Sequence, residues 1–576
     1  MSRAANQVST QATRPIMRFS PRRNLFALAA LALAACHSND AGTNSGGVNG
    51  GTLIFTAPGD AKSLFPPYVV EQNGRMIQDL VFDRLAEISA DNNTIGDKTF
   101  KPELAKSWTW APDSMSIAFS IDPAAKWHDG QPVRANDVKY SFDIFTNPKI
   151  ASPNATGFAN IDSISVRDSL TAVVWFKRHT PTQFYGIAYQ LVVMPEHVYG
   201  KVPVEELRTS EVTRTPIGSG RFRFVRWEGG QRIELIADTA NYRGRAKLDR
   251  VISLAVSDPS ASAAQILSGQ ADVMMAFPLD QASNLDSNKF AKAVIMPQIP
   301  YSFFGMRLFA RKSNTVPHPV FGDVRVRRAL SMAVDRSAML QNVFNGTGRL
   351  GHGPFSMVLP FADSSTKTIP YDTSAAKVLL DSAGWRVGPN GVRAKNGVPL
   401  KFQVGVPGTS VPRRQYALLL QGYFQKVGAQ MDIDVIDINT FLDHRSTGDF
   451  DAMMDAFQPD PDAGGAIQNW GTAGIGPQGQ NTLHYSNKKV DVLFDSAAAS
   501  SDPAKVKAYM LRAHQQIIDD APAIWLYDYS SITAIARRFE YPPMHADGWW
   551  VTVPDWTVPP AKRIDRDRIG LATPKQ

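Results

Sequence analysis

Residues 400–437 constrain the fold more than any other stretch. They read LKFQVGV, a proline-containing loop, then RRQYALLLQGYFQKVGAQMDIDVID, a strand, a helix and a second strand. Strands joined through a helix lie parallel, and the crossover between them is right-handed. The segment therefore commits the chain to an α/β class built on a parallel pair. At 576 residues the chain exceeds the roughly 250–300 at which single cores stop growing, so more than one domain is expected.

The remaining body alternates strand and helix patterns. Residues 52–57, TLIFTA, read as a first strand. Met76, Ile77, Leu80, Val81 and Leu85 are spaced for a helix over 76–85. Residues 107–110 and 115–121 alternate around Pro112 and predict a hairpin. The stretch KWHDGQPVRANDVKYSFDIF, residues 126–145, sets His128 beside Asp129, the residue types of a metal site or an acid/base pair. A structural reading also covers it. Asp129-Gly130 is a turn, Asn136 an N-cap, Asp137 a first-turn anion, and Val138, Phe142 and Phe145 one buried stripe. Residues 215–256 alternate as strands, and 260–277 read as a short helix, a glycine turn and a strand. A second unit begins after residue 300. It contains two helical segments around Asp335, a helix at 373–385 closed by Gly384, two later helices, and a strand after Pro522.

The N-terminus reads as an address. Five arginines (Arg3, Arg14, Arg18, Arg22, Arg23) precede an apolar run at residues 25–35, a length suited to a signal peptide and short for a membrane span. The run ends Leu33-Ala34-Ala35-Cys36, which resembles the lipobox of bacterial lipoproteins, with Cys36 the acylated residue. The paired Arg22-Arg23 fits the general secretion route or twin-arginine export. A Ser/Asn/Gly-rich tether follows at 37–51. Cys36 is the only cysteine, so no internal disulfide or cysteine metal cluster is expected. The formal charge of +8 also shrinks here. Without the five arginines, 56 basic residues face 53 acidic ones, too even a balance to drive nucleic-acid binding.

Catalytic signatures are missing. The ten histidines form no HExxH and no metal-spaced cluster, Gly218-Ser219-Gly220 is too short for a nucleophile elbow, and phosphate-binding glycine loops are absent. No enzyme activity, resident metal or cofactor is expected.

The order of segments resembles family 5 of the bacterial extracellular solute-binding proteins, the receptors of oligopeptide, dipeptide and nickel ABC transporters. The likeness is carried by Pro102-Glu103-Leu104-Ala105, Trp127-His128-Asp129-Gly130, Gly218-Ser219-Gly220-Arg221-Phe222, residues 267–273 (LSGQADV), residues 324–335 and Asp520-Ala521-Pro522. It implies a two-lobed α/β fold of the periplasmic-binding-protein kind, with an extra subdomain in the first lobe and a hinge of two crossovers near 297–302 and 522–529. The first lobe would comprise residues 52–298 and 523–576, with the subdomain at about 86–214, and the second lobe residues 299–522. The implied function is the binding component of an ABC importer, holding short peptides between the lobes and delivering them to a permease. Nickel, haem or another non-peptide solute is the alternative. The protein would be a monomer, tied by lipid to the periplasmic or outer side of a bacterial membrane. A peptide's two charged ends need opposite partners once desolvated. Asp460 and Asp462 are the candidates for the amino end, and Arg413 and Arg414 for the carboxylate. Phe457, Trp470, Tyr301 and Phe303 are candidates for side-chain pockets. His128 is expected to be structural.

Overall fold

The segment that commits the chain to α/β folds as its pattern requires. In the computed structural model, Lys401–Pro407 and Gln430–Ile436 pair in parallel, with Val404 opposite Ile433, and the helix Val411–Lys426 crosses between them. Val404 and Val406 face the core on one side of the pair, and Tyr416, Leu420 and Phe424 of the helix are buried with them. The structure describes residues 49–571 except 346, 459–462, 477–478 and 546–547.

This pair belongs to one 11-stranded sheet. From one edge its strands run Gln430–Ile436, Lys401–Pro407, Ala452–Phe457, Ala291–Met306, Ala523–Ala536, Val273–Met274, Thr52–Ala57, Arg250–Ala255, Arg232–Ala237 and Phe222–Glu228, with Arg349–Leu350 added beside Ala523–Ala536. The two longest strands, Ala291–Met306 and Ala523–Ala536, lie antiparallel in the middle, and their ladder has two halves. Residues 291–297 pair with 530–536, residues 301–305 pair with 523–528, and the register shifts between. Pro297 and Pro300 sit at this break. Proline has no N–H to donate, so the ladder cannot run through it intact. Burial changes at the same place. Tyr301 to Met306 are buried without interruption, as in a strand covered on both faces, whereas residues 296–300 are half-exposed.

Each half of the sheet has its own core. Leu53, Phe55, Phe222, Leu235 and Val251 share a cluster with Trp549, Trp556 and the inserted region of the first half. Phe304, Phe402, Tyr416 and Leu420 form another around the parallel pair. A third holds Phe303, Phe457 and Trp470, and Ile95 from the first half packs into it. The halves also meet where His179 Nε2 and Ser501 Oγ stand 2.8 Å apart. The insertion carries a separate antiparallel sheet of Ala105–Trp110, Ser116–Ile121, Thr171–Phe176 and Ile161–Asp168, and the expected hairpin is its first pair.

The motif residues join these parts. His128 Nδ1 accepts from the Gly218 N–H (3.2 Å), its Nε2 donates to the Gly220 carbonyl (2.9 Å), and its own N–H donates to the Gly218 carbonyl (2.8 Å). Burial lowers its pKa, which suits the neutral tautomer those bonds require. Gly218 and Gly220 are pressed against the end of the helix Gln72–Val81. Gly220 N–H donates to Val81 O (2.8 Å), and a Cβ on Gly218 would stand 1.8 Å from that oxygen. The histidine and the glycine run are therefore two sides of one joint. Asp272 of the LSGQADV run has a comparable role. It accepts from Ile54 N–H (2.9 Å) and pairs with Arg538 (3.0 Å) and Arg566 (2.6 Å), while Asp567 pairs with Arg538 (2.6 Å) and accepts from Thr52 N–H (2.8 Å). Two buried acids and two arginines thus tie the first strand to the end of the chain.

Two local expectations are corrected. The helix over 135–146 is capped at Arg134, two residues earlier than Asn136. Asp137 reaches back to Arg134 N–H (2.7 Å) and leaves Asn136 exposed. The helix expected at 76–85 spans Gln72–Val81. Glu71 caps it by accepting from Gly74 N–H (3.2 Å), and Phe82 is extended, so Leu85 enters the core from the following loop. The stripe of Val138, Phe142 and Phe145 is buried, and Asp335 caps its helix by accepting from Ala338 N–H (2.9 Å). Among the described residues no helix is long and apolar enough to cross a membrane.

Candidate functional site

The break in the central ladder borders a cavity of about 680 Å³. Its floor is Met296 to Pro300 with Ser531. One wall comes from the first half of the molecule: Gln72 and Arg75 from the helix Gln72–Val81, Tyr185, Tyr189 and Gln190, and Trp549 and Trp550. Gln458, just past the strand Ala452–Phe457, faces it from the second half. Volume and position fit a small-molecule cleft between two cores.

A buried carboxylate holds the wall together. Asp79, with 3% of its side chain exposed, pairs with Arg84 (2.7 Å), accepts from Trp550 Nε1 (2.9 Å), and lies 3.9 Å from Arg75 Nε. Burial disfavours its charge. The Arg84 and Arg75 guanidiniums and the Trp550 hydrogen bond outweigh that cost and hold its pKa below the ordinary value. Arg84 in turn lies over the Tyr189 ring at 4.6 Å, and Tyr189 stacks on Tyr185 at 5.5 Å. Gln190 Nε2 donates to the Tyr185 hydroxyl (2.9 Å). One carboxylate thus fixes a cation and an indole on the cleft, and through Arg84 an aromatic pair.

The lining is rich in neutral amides: Gln72, Asn92, Gln190, Gln298 and Gln458. Asn92 is 4% exposed, and its Oδ1 accepts no hydrogen bond from the described residues. Arg75 is the one charged side chain in the described lining, and 45% of it is exposed. Such a surface can donate and accept along a polar backbone, offer aromatic faces to side chains, and pair with one anion.

The residues singled out in the sequence fall in different places. Tyr301, Phe303, Phe457 and Trp470 do come together, but as a packed cluster at 0–2% exposure, none of them lining the cavity. The Trp470 indole donates to the Tyr301 hydroxyl (2.9 Å), and Phe303 packs against Phe457 at 4.8 Å and Trp470 at 5.7 Å. Their polar atoms are satisfied inside the core, so the structure gives them a packing role. Arg413 and Arg414 part company. Arg413 donates to the Tyr529 hydroxyl (3.2 Å) at the ladder break, while Arg414 bonds back to the Gly408 carbonyl of its own loop. Asp460, Asp462 and Cys36 lie outside the described residues. Arg75, Tyr185, Trp549 and Trp550 were missed. They come from three segments up to 475 positions apart, and no local spacing marks them.

Replacing Asp79 by Asn should destabilise the protein by about 3 kcal/mol, because buried Arg84 loses its counter-charge. A depressed pKa contributes stability that is full above the ordinary value of 3.8 and lost as pH falls through the folded value. Denaturant melts should therefore show wild-type stability declining below about pH 4 and a shallower decline in Asp79→Asn. Equal stability and equal slopes would show that the carboxylate does not organise the wall.

Comparison with known proteins agrees with this architecture. Residues 99–477 match the model of the bacterial extracellular solute-binding proteins, family 5 Middle. The oligopeptide-binding protein AppA of Bacillus subtilis is 24% identical over 554 residues, covering 91% of this chain and 96% of that protein. Its structure in complex with a nonapeptide superposes with a TM-score of 0.63 at 22% identity, over 89% of this chain and 99% of that one. HbpA2 of Haemophilus parasuis superposes with a TM-score of 0.75 at 18% identity, over 88% and 99%. Both structures share the two-lobed fold. The chain belongs to family 5 of the bacterial extracellular solute-binding proteins.

Proposed function

We propose that this protein captures short peptides in the cleft at the ladder break and delivers them to an ABC permease. The observation that carries the reading is the composition of the cleft wall: amides, aromatic faces and one cation in Arg75. A peptide backbone offers an N–H and a C=O at every residue, whatever its side chains, and amides answer both. The carboxyl terminus pairs with Arg75. Asp460 and Asp462 follow Gln458 in sequence by two and four positions and supply charge for the amino terminus. Arg413, at the break, is a second cation for longer or acidic ligands. Relatives named for oligopeptides, and solved relatives bound to a nonapeptide and to the peptide STSA, support the same class.

The moving bodies in this reading are residues 52–298 with 523–576, including the inserted region at about 86–214, and residues 299–522. They close about residues 297–302 and 522–529, the two crossovers that flank the break in the ladder. The protein works outside the cytoplasm, anchored through acylated Cys36 on the 37–51 tether. Cys36→Ser should then move the mature protein from the membrane fraction to the soluble fraction on cell fractionation. An unchanged distribution rules out the anchor.

A degenerate pool of short peptides near 100 times its dissociation constant should stabilise the protein by about 2.7 kcal/mol in a thermal melt. Arg75→Ala should weaken binding of free-acid peptides about tenfold or more, and should leave C-terminally amidated peptides little changed. If amidated and free-acid peptides lose affinity alike in Arg75→Ala, Arg75 does not read the carboxylate. If no peptide shifts the melt at all, the peptide reading is wrong.

A further inference from the structure

Residues 88–100 form a loop that leaves one hydrophobic core, enters another and returns. Ile88 and Phe100 are buried in the cluster of the first half. Ile95, between them, is 2% exposed and belongs instead to the cluster of Phe303, Phe457 and Trp470. All other buried members of that cluster lie between Tyr301 and Trp525. One isoleucine is thus carried out of its own half and seated in the other.

The loop is braced to hold that side chain out. Asn92 and Gly96 have left-handed backbone, φ +52° and +64°, which turns the chain on either side of residues 93–95. Asn93 Oδ1 accepts from Ile95 N–H (3.0 Å), and Gly96 N–H donates to Pro181 O (2.9 Å). Asp97 accepts from the indoles of Trp108 (2.8 Å) and Trp110 (3.0 Å) on the inserted sheet. These bonds fix the loop to the first half.

The facing surface is the turn between the helices Lys488–Ala498 and Pro503–Asp520. A Cβ on Gly96 would stand 3.1 Å from Ser501 O, so the loop backbone lies close against this turn. His179 Nε2 meets Ser501 Oγ at the same residue (2.8 Å), and Pro181, two positions on, holds Gly96. Phe494, Ala497 and Val506 of the two helices are buried in the cluster that takes Ile95. Asn92 lines the cleft, whereas Ile95 does not.

We propose that Ile95 is an interlobe latch, a positioning residue that holds the cleft closed from outside it, with Gly96 and His179 seating it against Ser501. The inference rests on the two-body reading of the cleft given above and deepens it. In that reading Ile95, Gly96 and His179 move with one body and Ser501 with the other. Opening therefore draws the isoleucine from its cluster into water, and closing buries it again. Apolar burial made in only one of two states biases the equilibrium toward that state. The latch then raises ligand affinity without touching ligand, because it raises the population of the closed form.

Ile95→Ala and Ile95→Val test this in graded steps, the second removing a single methylene and sparing the fold. A degenerate pool of short peptides would be titrated calorimetrically against the mature chain, and amide exchange followed with and without the pool. Ile95→Ala should weaken binding by about tenfold or more and Ile95→Val severalfold. In the unliganded chain, Ile95→Ala should speed exchange together at residues 93–100 and 497–502, and leave the parallel pair Lys401–Pro407 and Gln430–Ile436 unchanged. A role confined to packing would not alter affinity at a cavity that Ile95 does not line. Wild-type affinity in both variants therefore overturns the latch and leaves the peptide reading standing. If wild type binds no peptide, the peptide reading fails and exchange decides the latch: joint acceleration at both segments supports it, and unchanged exchange overturns it.

Discussion

The fold depends on two long antiparallel strands that cannot keep one register. Ala291–Met306 and Ala523–Ala536 carry the sheet through the molecule, and Pro297 and Pro300 remove backbone donors at its centre. On either side of that gap the strands are anchored in separate hydrophobic clusters. The gap itself is half-exposed and forms the cleft floor. A ladder unbroken through this point would join the halves as one rigid sheet. A ladder absent here would leave them unconnected except at a few contacts such as Ile95 and His179 with Ser501. The interrupted ladder gives both attachment and a place to bend.

The cleft wall follows from a second constraint, the placement of one buried charge. A carboxylate inside a protein needs cations and donors around it. Asp79 collects Arg84, Arg75 and Trp550, drawn from a helix, the loop after it and a segment near the end of the chain. The excess positive charge then lies on the cavity side, through Arg75.

Much of the fold was legible in the sequence because it is written in local periodicity. The strand–helix–strand unit, the hairpin, the stripe of Val138, Phe142 and Phe145, and the two helices around Asp335 all depend on residues a few positions apart. The Asn136 cap failed because Asp137, one residue on, has the geometry to reach Arg134, and composition alone does not distinguish two adjacent capping side chains. His128 read correctly as structural, although its partners, Gly218 and Gly220, lie some 90 residues away. The site was less legible. Aromatic residues near the break were reasonable pocket candidates, yet Trp470 and Tyr301 satisfy each other's polar atoms and so pack inside the core. Arg75, Tyr185 and Trp550 converge only through tertiary contacts to Asp79 and its neighbours, which leave no short-range mark.

Peptide capture in this cleft is tested most directly by identifying what the protein carries when purified gently from its own cells. Native mass spectrometry should find adducts that are released on unfolding and resolve, by fragmentation, into short peptides of mixed sequence. A single recurrent non-peptide species, such as a metal chelate or a tetrapyrrole, would contradict the peptide assignment while leaving the two-lobed fold in place.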